Sequence, residues 1–217
     1  MLLSLRFMQV SEIFYSLQGE VISIGQPSVF LRLSGCHLRC VWCDTKYTWD
    51  LKSGKKMASA DILKAIKKYP TKHLVVTGGE PLIQQNELIK LFKKLPDYYI
   101  EIETSGSLPT FLNQYVNHYN CSPKLSNSKN KRIHLEKFPT EKTYYKFVVD
   151  NKKDLKEIKE FIKKYNINRE KVFLMPQGIK KNELQKRSQW LAEICKQENF
   201  RFTPRLHINL WGNKRKV

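Results

Sequence analysis

Ser34-Gly35-Cys36-His37-Leu38-Arg39-Cys40-Val41-Trp42-Cys43-Asp44-Thr45 decides how the rest of the chain reads. Three cysteines, Cys36, Cys40 and Cys43, stand there in the spacing CxxxCxxC, just after the apolar run 28–34 (SVFLRLS). Only short loops separate these thiols, so they must converge. Four thiolates close a tetrahedral zinc site or complete an iron–sulfur cubane. Three leave one metal corner without a protein ligand, open to a substrate or a cofactor. A [4Fe–4S] cluster with one free iron fits that count. A zinc site completed by His37 or by a distant histidine, and unligated thiols, are the alternatives. A disulfide framework is not expected. The chain has five cysteines, an odd number, and Cys121 and Cys195 lie far from the triplet.

Composition sets the frame. A chain of 217 residues can bury one substantial core, so one domain over 1–217 is expected. Hydrophobic residues at 41% and aromatics at 12% are globular rather than disordered values. Residues 1–10 are apolar but short, so no signal peptide is expected there. No run approaches the roughly 18 apolar residues of a membrane span. A cytoplasmic setting follows, where thiols stay reduced and clustered cysteines usually ligate metal. The formal charge of +19 could mark a nucleic-acid partner. Its lysines, however, are spread along helical periodicity among glutamates, as at Lys156, Glu157, Lys159 and Glu160. That is the pattern of a solvated face, and direct nucleic-acid binding is not expected.

Strand and helix alternate along the chain. Strands are expected at 9–15, 28–34, 73–77, 98–103, 116–121, 144–149 and 171–175. Helices are expected at 59–69 (with Ser59 as N-cap), 83–95, 152–165 and 182–198. Residues 126–142 read as a surface loop, and 202–210 as a final strand or extended tail. Strands separated by helices imply βαβ units and a parallel sheet. Right-handed crossovers would curl it into a partial TIM-like (β/α) barrel. The cysteine loop, Gly78-Gly79-Glu80-Pro81, Glu103-Thr104-Ser105-Gly106, Ser122-Pro123-Lys124 and Met175-Pro176-Gln177-Gly178 all follow strand ends, the edge where parallel α/β folds bind ligands.

These motifs resemble those of the radical S-adenosylmethionine enzymes. CxxxCxxC followed by Gly-Gly-Glu-Pro specifies the superfamily. Ser16-Leu17-Gln18-Gly19-Glu20, Phe30-Leu31-Arg32-Leu33-Ser34-Gly35-Cys36, Cys43-Asp44-Thr45, Thr77-Gly78-Gly79-Glu80-Pro81 and Leu210-Trp211-Gly212-Asn213-Lys214-Arg215 are similar to the 7-carboxy-7-deazaguanine synthase family within it. The resemblance runs from residue 9 to the last residue. It implies a lyase of queuosine and 7-deazapurine biosynthesis, a tRNA modification pathway. Such enzymes convert 6-carboxy-5,6,7,8-tetrahydropterin to 7-carboxy-7-deazaguanine with release of ammonia.

By that resemblance Cys36, Cys40 and Cys43 bind three irons of the cluster, and S-adenosylmethionine chelates the fourth. Trp42, Cys43, Asp44, Gly79, Glu80, Ser122, Pro123, Lys124 and Gln177 would contact the S-adenosylmethionine. For Gly78-Gly79 the physical reason would be close backbone approach to a ligand. Glu80 would offer acceptors to the cofactor's ammonium group. An ordinary turn reads Gly-Gly-Glu-Pro and Ser-Pro-Lys as well, and Trp42 can equally be a hydrophobic cover. Thr45 is the implied Mg²⁺ ligand, although Asp44 is the better oxygen donor on chemistry alone. Leu17, Gln18, Gly19, Arg32, Thr77 and the carboxylate of Val217 are the implied substrate contacts. Arg32 could instead form a structural ion pair. Relatives often have glycine where Lys216 stands, which bears on how the tail folds inward to close the site. A flavodoxin-like or ferredoxin-like electron donor and a homodimer belong to the same expectation.

Three other readings compete. A glycyl-radical-enzyme activase shares CxxxCxxC. A non-catalytic zinc protein could bind RNA through its positive surface. A plain α/β domain could carry its cysteines incidentally.

Overall fold

A computed structural model describes residues 7–131 and 134–217. The opening segment 1–6, which carries most of the stretch weighed for a signal peptide, lies outside the described residues, as do 132 and 133.

Nine strands form one sheet: β1 Phe7–Leu17, β2 Pro27–Leu33, β3 Lys55–Ala58, β4 His73–Gly78, β5 Tyr99–Thr104, β6 His118–Cys121, β7 Thr143–Val149, β8 Val172–Pro176 and β9 Arg201–Phe202. Their spatial order is β3-β1-β2-β4-β5-β6-β7-β8-β9. β1 runs antiparallel to both β2 and β3. Every pair from β2–β4 to β8–β9 is parallel. The helices are α1 Ser59–Ile66, α2 Gln85–Phe92, α3 Asp154–Lys164, α4 Lys181–Glu198 and α5 Leu206–Trp211. This α/β arrangement is the expected partial TIM-like barrel.

Side-chain alternation explains which face is which. In β5, Ile100 and Ile102 are buried in the main apolar cluster with Leu88, Leu91 and Phe92 of α2. Burying such a side chain stabilises by about 1.5–3 kcal/mol. Glu101 and Glu103 point the other way, into the barrel, where Glu101 is fully buried. Strict alternation usually marks one wet face; here its polar half lines the concave interior. The lysines of α3, including Lys156, Lys159, Lys163 and Lys164, are exposed, as a solvated face requires.

Several expectations need correction. β1 is longer than 9–15, and β3 was not foreseen; Lys55-Lys56-Met57-Ala58 carries no strand-forming pattern and is held only by β1. Ala58, not Ser59, occupies the N-cap of α1. Residues 202–210 are neither strand nor extended tail: β9 is two residues and α5 follows, closed by Gly212 at φ +69°. The loop 126–142 buries Leu135 and Phe138 and is not purely superficial. Cys121 and Cys195 are buried in the core. No helix among the described residues is long and apolar enough to cross a membrane.

Candidate active site

The motifs that end strands do meet. Cys36, Cys40, Trp42, Cys43, Asp44, Thr45, Gly79, Ser122, Lys124 and Gln177 line one cavity of about 270 Å³. Leu17, Gln18, Gly19, Arg32, Thr77 and Val217 line it too.

The three thiols are free. Leu38 N donates to Cys36 Sγ at 3.4 Å, and Asn130 Nδ2 donates to Cys40 Sγ at 3.1 Å. Cys43 Sγ stands 3.6 Å from Thr45 Oγ1. Burial pushes the Cys36 thiol up to about 11, with Glu80 and Cys40 adding to it, and burial raises Cys40 as well. A cationic group would therefore favour the thiolate form of Cys36 and Cys40. Among the described residues no three His, Cys, Asp or Glu side chains meet closely enough to hold one metal ion. A cubane spreads its thiolates over separate irons. This donor set fits that group: three sulfurs on one wall, two of them already receiving N–H donors.

Lys124 adds a cation beside them. Its Nζ donates to the Ser122 carbonyl at 2.6 Å and to Ser122 Oγ at 2.9 Å, and lies 5.8 Å from the Trp42 ring centroid. Burial lowers its pKa. Trp42 Nε1 donates to the Asn127 carbonyl at 3.1 Å. Pro123 is buried and lies outside the cavity lining.

Both oxygens of Glu80, the residue expected to meet the cofactor's ammonium group, also accept hydrogen bonds within the protein. Oε1 accepts from Thr104 Oγ1 at 2.7 Å and from Leu82 N at 3.2 Å. Oε2 accepts from Ser105 N at 2.8 Å and Ser105 Oγ at 2.5 Å. Its carboxylate clamps the turn after β4 to the turn after β5. The glycines have a cause within the chain as well. A Cβ on Gly79 would overlap the Gly35 carbonyl, and one on Gly78 would overlap the Leu33 backbone. Close approach is between two stretches of this chain: Gly79 N donates to Leu33 O at 3.0 Å and Glu80 N to Gly35 O at 2.8 Å.

Other expected contacts are partly engaged within the protein. Gln18 Nε2 donates to Glu101 Oε1 at 2.5 Å and Glu103 Oε1 at 3.2 Å, while its Oε1 accepts from Gly19 N at 2.7 Å. Thr77 Oγ1 donates to Glu103 Oε2 at 2.7 Å. Gln177 Oε1 accepts from Arg187 Nη1 at 2.5 Å. Arg32 does make the ion pair weighed for it. A register shift between Val10 and Glu12 sets Glu12 opposite Arg32, where Glu12 Oε2 accepts from Arg32 Nε at 3.0 Å.

The network behind these residues was not foreseen. Glu20 pairs with Lys146 and with Arg205, and Arg205 also pairs with Asp44 and donates to the Gly178 carbonyl at 2.6 Å. Burial opposes charge on Glu20 and Asp44, yet the cations hold both below the ordinary carboxylate range. Burial pushes Glu103 up, and the nearby Glu20 and Glu101 add to it. Lys146 had a signal in the sequence, a lone cation inside the apolar strand YYKFVV; so did Glu103, in YIEIET. Arg205 and His207, which also line the cavity, had none.

The C-terminal residues 213–217 also line the cavity. Ser16 Oγ donates to the Val217 backbone oxygen, and Arg215 pairs with Glu12 while its guanidinium lies 3.9 Å over the Tyr47 ring. Lys216 sits at φ +62°, a left-handed conformation suited to glycine.

Comparisons with known proteins agree with this geometry. The radical SAM superfamily profile matches residues 31–183. The chain is 43% identical over 215 residues to 7-carboxy-7-deazaguanine synthase of Pyrobaculum aerophilum, covering 95% of this chain and 96% of that one. It is 34% identical over 227 residues to the enzyme of that name from Rhodopirellula baltica, covering 95% and 87%. Among solved structures, QueE from Escherichia coli superposes with a TM-score of 0.74 at 26% identity over 93% of this chain and 95% of that one. Streptococcus suis SuiB bound to S-adenosylmethionine, at TM-score 0.53 and 16% identity over 80% and 49%, shares the fold alone. Profile, relatives and fold coincide, and the chain belongs to the 7-carboxy-7-deazaguanine synthase family of the radical SAM superfamily.

Proposed function

We propose that the chain converts 6-carboxy-5,6,7,8-tetrahydropterin to 7-carboxy-7-deazaguanine and ammonia, as a lyase dependent on a [4Fe–4S] cluster, S-adenosylmethionine and Mg²⁺. One observation supports this most: three free thiols line the same cavity as Lys124, a half-buried cation with no carboxylate within ion-pair distance among the described residues. That wall suits an iron–sulfur group and the carboxylate of a bound amino acid. The relatives' shared name supplies the reaction.

Cluster and S-adenosylmethionine, when bound, supply one-electron cleavage and a hydrogen-abstracting radical. The protein's residues bind, orient and exclude water. Cys36, Cys40 and Cys43 hold the cluster. Trp42, Asp44, Gly79, Ser122 and Lys124 would wall the S-adenosylmethionine, and Lys124 would supply the cation for its carboxylate. Glu80 keeps two of the turns in place. Leu17 and Gly19 would line the pterin's place, Gln18 fixes that loop by accepting from Gly19 N, and Arg32 would meet the substrate carboxylate. Arg205 holds Asp44 through Oδ2, and the family resemblance assigns the Thr45 hydroxyl as the oxygen donor for Mg²⁺. The carboxylate charge is what that ion would balance.

On this reading 1–217 is one catalytic core in the cytoplasm, closed by its C-terminal segment. Its partners are a flavodoxin-like or ferredoxin-like electron donor and a second copy of the chain. Oxygen-free reconstitution with iron and sulfide, then addition of reductant, S-adenosylmethionine, Mg²⁺ and the pterin, tests it. A brown protein that yields 7-carboxy-7-deazaguanine by mass is expected. A colourless protein without stoichiometric iron would overturn the proposal. Thr45→Ala should keep the cluster and blunt the Mg²⁺ response.

A further inference from the structure

The segment after β6 folds over the cysteine loop and holds it from outside. Val41 N donates to the Ser128 carbonyl at 3.1 Å, and Trp42 Nε1 donates to Asn127. Asn130 binds at two points. Its Oδ1 accepts from Arg39 N at 2.8 Å, and its Nδ2 donates to Cys40 Sγ at 3.1 Å and to Ser128 Oγ at 3.1 Å. Ser128 is fully buried and its hydroxyl donates to the Leu125 carbonyl at 2.7 Å, so the partner of Asn130 is itself fixed. The carboxamide therefore has little freedom: one end grips the loop backbone and the other faces a sulfur.

From this we infer that Asn130 is a positioning residue for Cys40, one that orients its sulfur and raises the reduction potential of the iron–sulfur group held there. The inference rests on the reading of Cys36, Cys40 and Cys43 as cluster ligands. Reduction adds negative charge to a cluster, and part of it resides on the ligating sulfurs. An N–H donor stabilises the more negative state more strongly, which favours reduction. A partner beyond the ligand shell also fixes the ligand's direction.

The test uses the full chain reconstituted with iron and sulfide without oxygen, with no substrate or S-adenosylmethionine added. The readout is the cluster's midpoint potential from a redox titration followed by electron paramagnetic resonance. Asn130→Asp keeps the acceptor for Arg39 N and the side-chain shape but removes the donor to sulfur. Asn130→Ala removes both. Ser126→Ala is the control, because it loosens the same turn at its Glu157 tether, where Ser126 Oγ donates at 2.6 Å, without touching sulfur. Both Asn130 variants should shift the potential negative. The expected loss is roughly tenfold in the equilibrium constant for reduction, about 59 mV for one electron. Asn130→Asp should shift further because of its added charge, and Ser126→Ala should not shift. Unchanged potentials in both Asn130 variants overturn the inference while leaving the cluster reading intact. An equal shift in Ser126→Ala overturns it too, because looseness of the turn would then suffice. A wild-type chain that takes up no iron overturns both readings.

Discussion

Arg205 donates to Asp44 across 161 positions of sequence and joins the C-terminal segment to the cysteine loop. The same guanidinium pairs with Glu20 and reaches the Gly178 carbonyl. Four separate stretches of the cavity wall thus share one side chain. Removing it leaves Glu20 buried with Lys146 as its remaining cation. Arg205→Ala should destabilise the fold by about 3 kcal/mol, read from urea unfolding. Arg205→Lys should cost less than Ala but more than a surface change, because an ammonium cannot reproduce the guanidinium fork. A loss under about 1 kcal/mol for Ala would show that the network is wet rather than buried.

How much of this was legible from the chain depended on where the information sits. The barrel was legible because strand and helix periodicities are local. The cavity was legible because its motifs follow strands, and a parallel sheet brings strand ends together. The partners of Glu80, Gln18 and Thr77 within the protein were not legible. Their functional groups bond to Thr104, Ser105, Glu101 and Glu103, which only the curled sheet brings within reach. α5 was missed because a short helix after a proline-containing turn carries too few apolar repeats to show its period. Arg205 was invisible for a simpler reason: an arginine in a basic chain looks like any other until its burial is known.

Acid should unfold the protein through its buried carboxylates. The folded-state pKa values of Glu12 and Glu20 lie below that of an ordinary glutamate. Burial opposes the charge in each. For Glu12 the hydrogen bond from Arg215 and the Arg32 charge outweigh it; for Glu20, Lys146 and Arg205 do. A depressed folded pKa contributes stability that is present above the unfolded value and is lost as pH falls. Urea-unfolding stability should therefore decline below about pH 4.5 and keep declining further into acid. Glu103, whose pKa is raised, works in the opposite sense and softens the loss. Glu20→Gln should flatten the acid limb while lowering stability at neutral pH. An acid limb of unchanged slope in that variant would remove Glu20 from the account.

Gly79→Ala separates a structural glycine from a ligand-facing one. A Cβ there meets backbone, the Gly35 carbonyl, rather than a flexible side chain. The turn must shift, and the Glu80 N to Gly35 O bond shifts with it. The chain should lose about 1–3 kcal/mol of stability even with no cofactor present. Thermal or urea unfolding of the metal-free protein checks this. Unaltered stability with weakened S-adenosylmethionine binding would return the glycine to the role first expected of it.

Lys216 stores a small strain that glycine would release. At φ +62° its Cβ crowds the following carbonyl, a cost of roughly 1–2 kcal/mol for an L-residue. Glycine removes that cost but gives the unfolded tail more freedom, worth about 0.4–1 kcal/mol against ordering. The balance favours Lys216→Gly by about 0.5 kcal/mol, roughly a twofold shift toward the closed tail. Closure has a local reporter: Arg215 Nε donates to Glu12 Oε1 at 2.8 Å, so its proton is protected from solvent only while the tail is down. Exchange of that proton, followed by nuclear magnetic resonance, should slow about twofold in Lys216→Gly. It should quicken in Lys216→Val, because a β-branched side chain tolerates the left-handed region least. If both variants exchanged at the wild-type rate, the tail's position would not depend on the backbone at 216, and its closure would rest on the Arg215–Glu12 and Ser16–Val217 contacts alone.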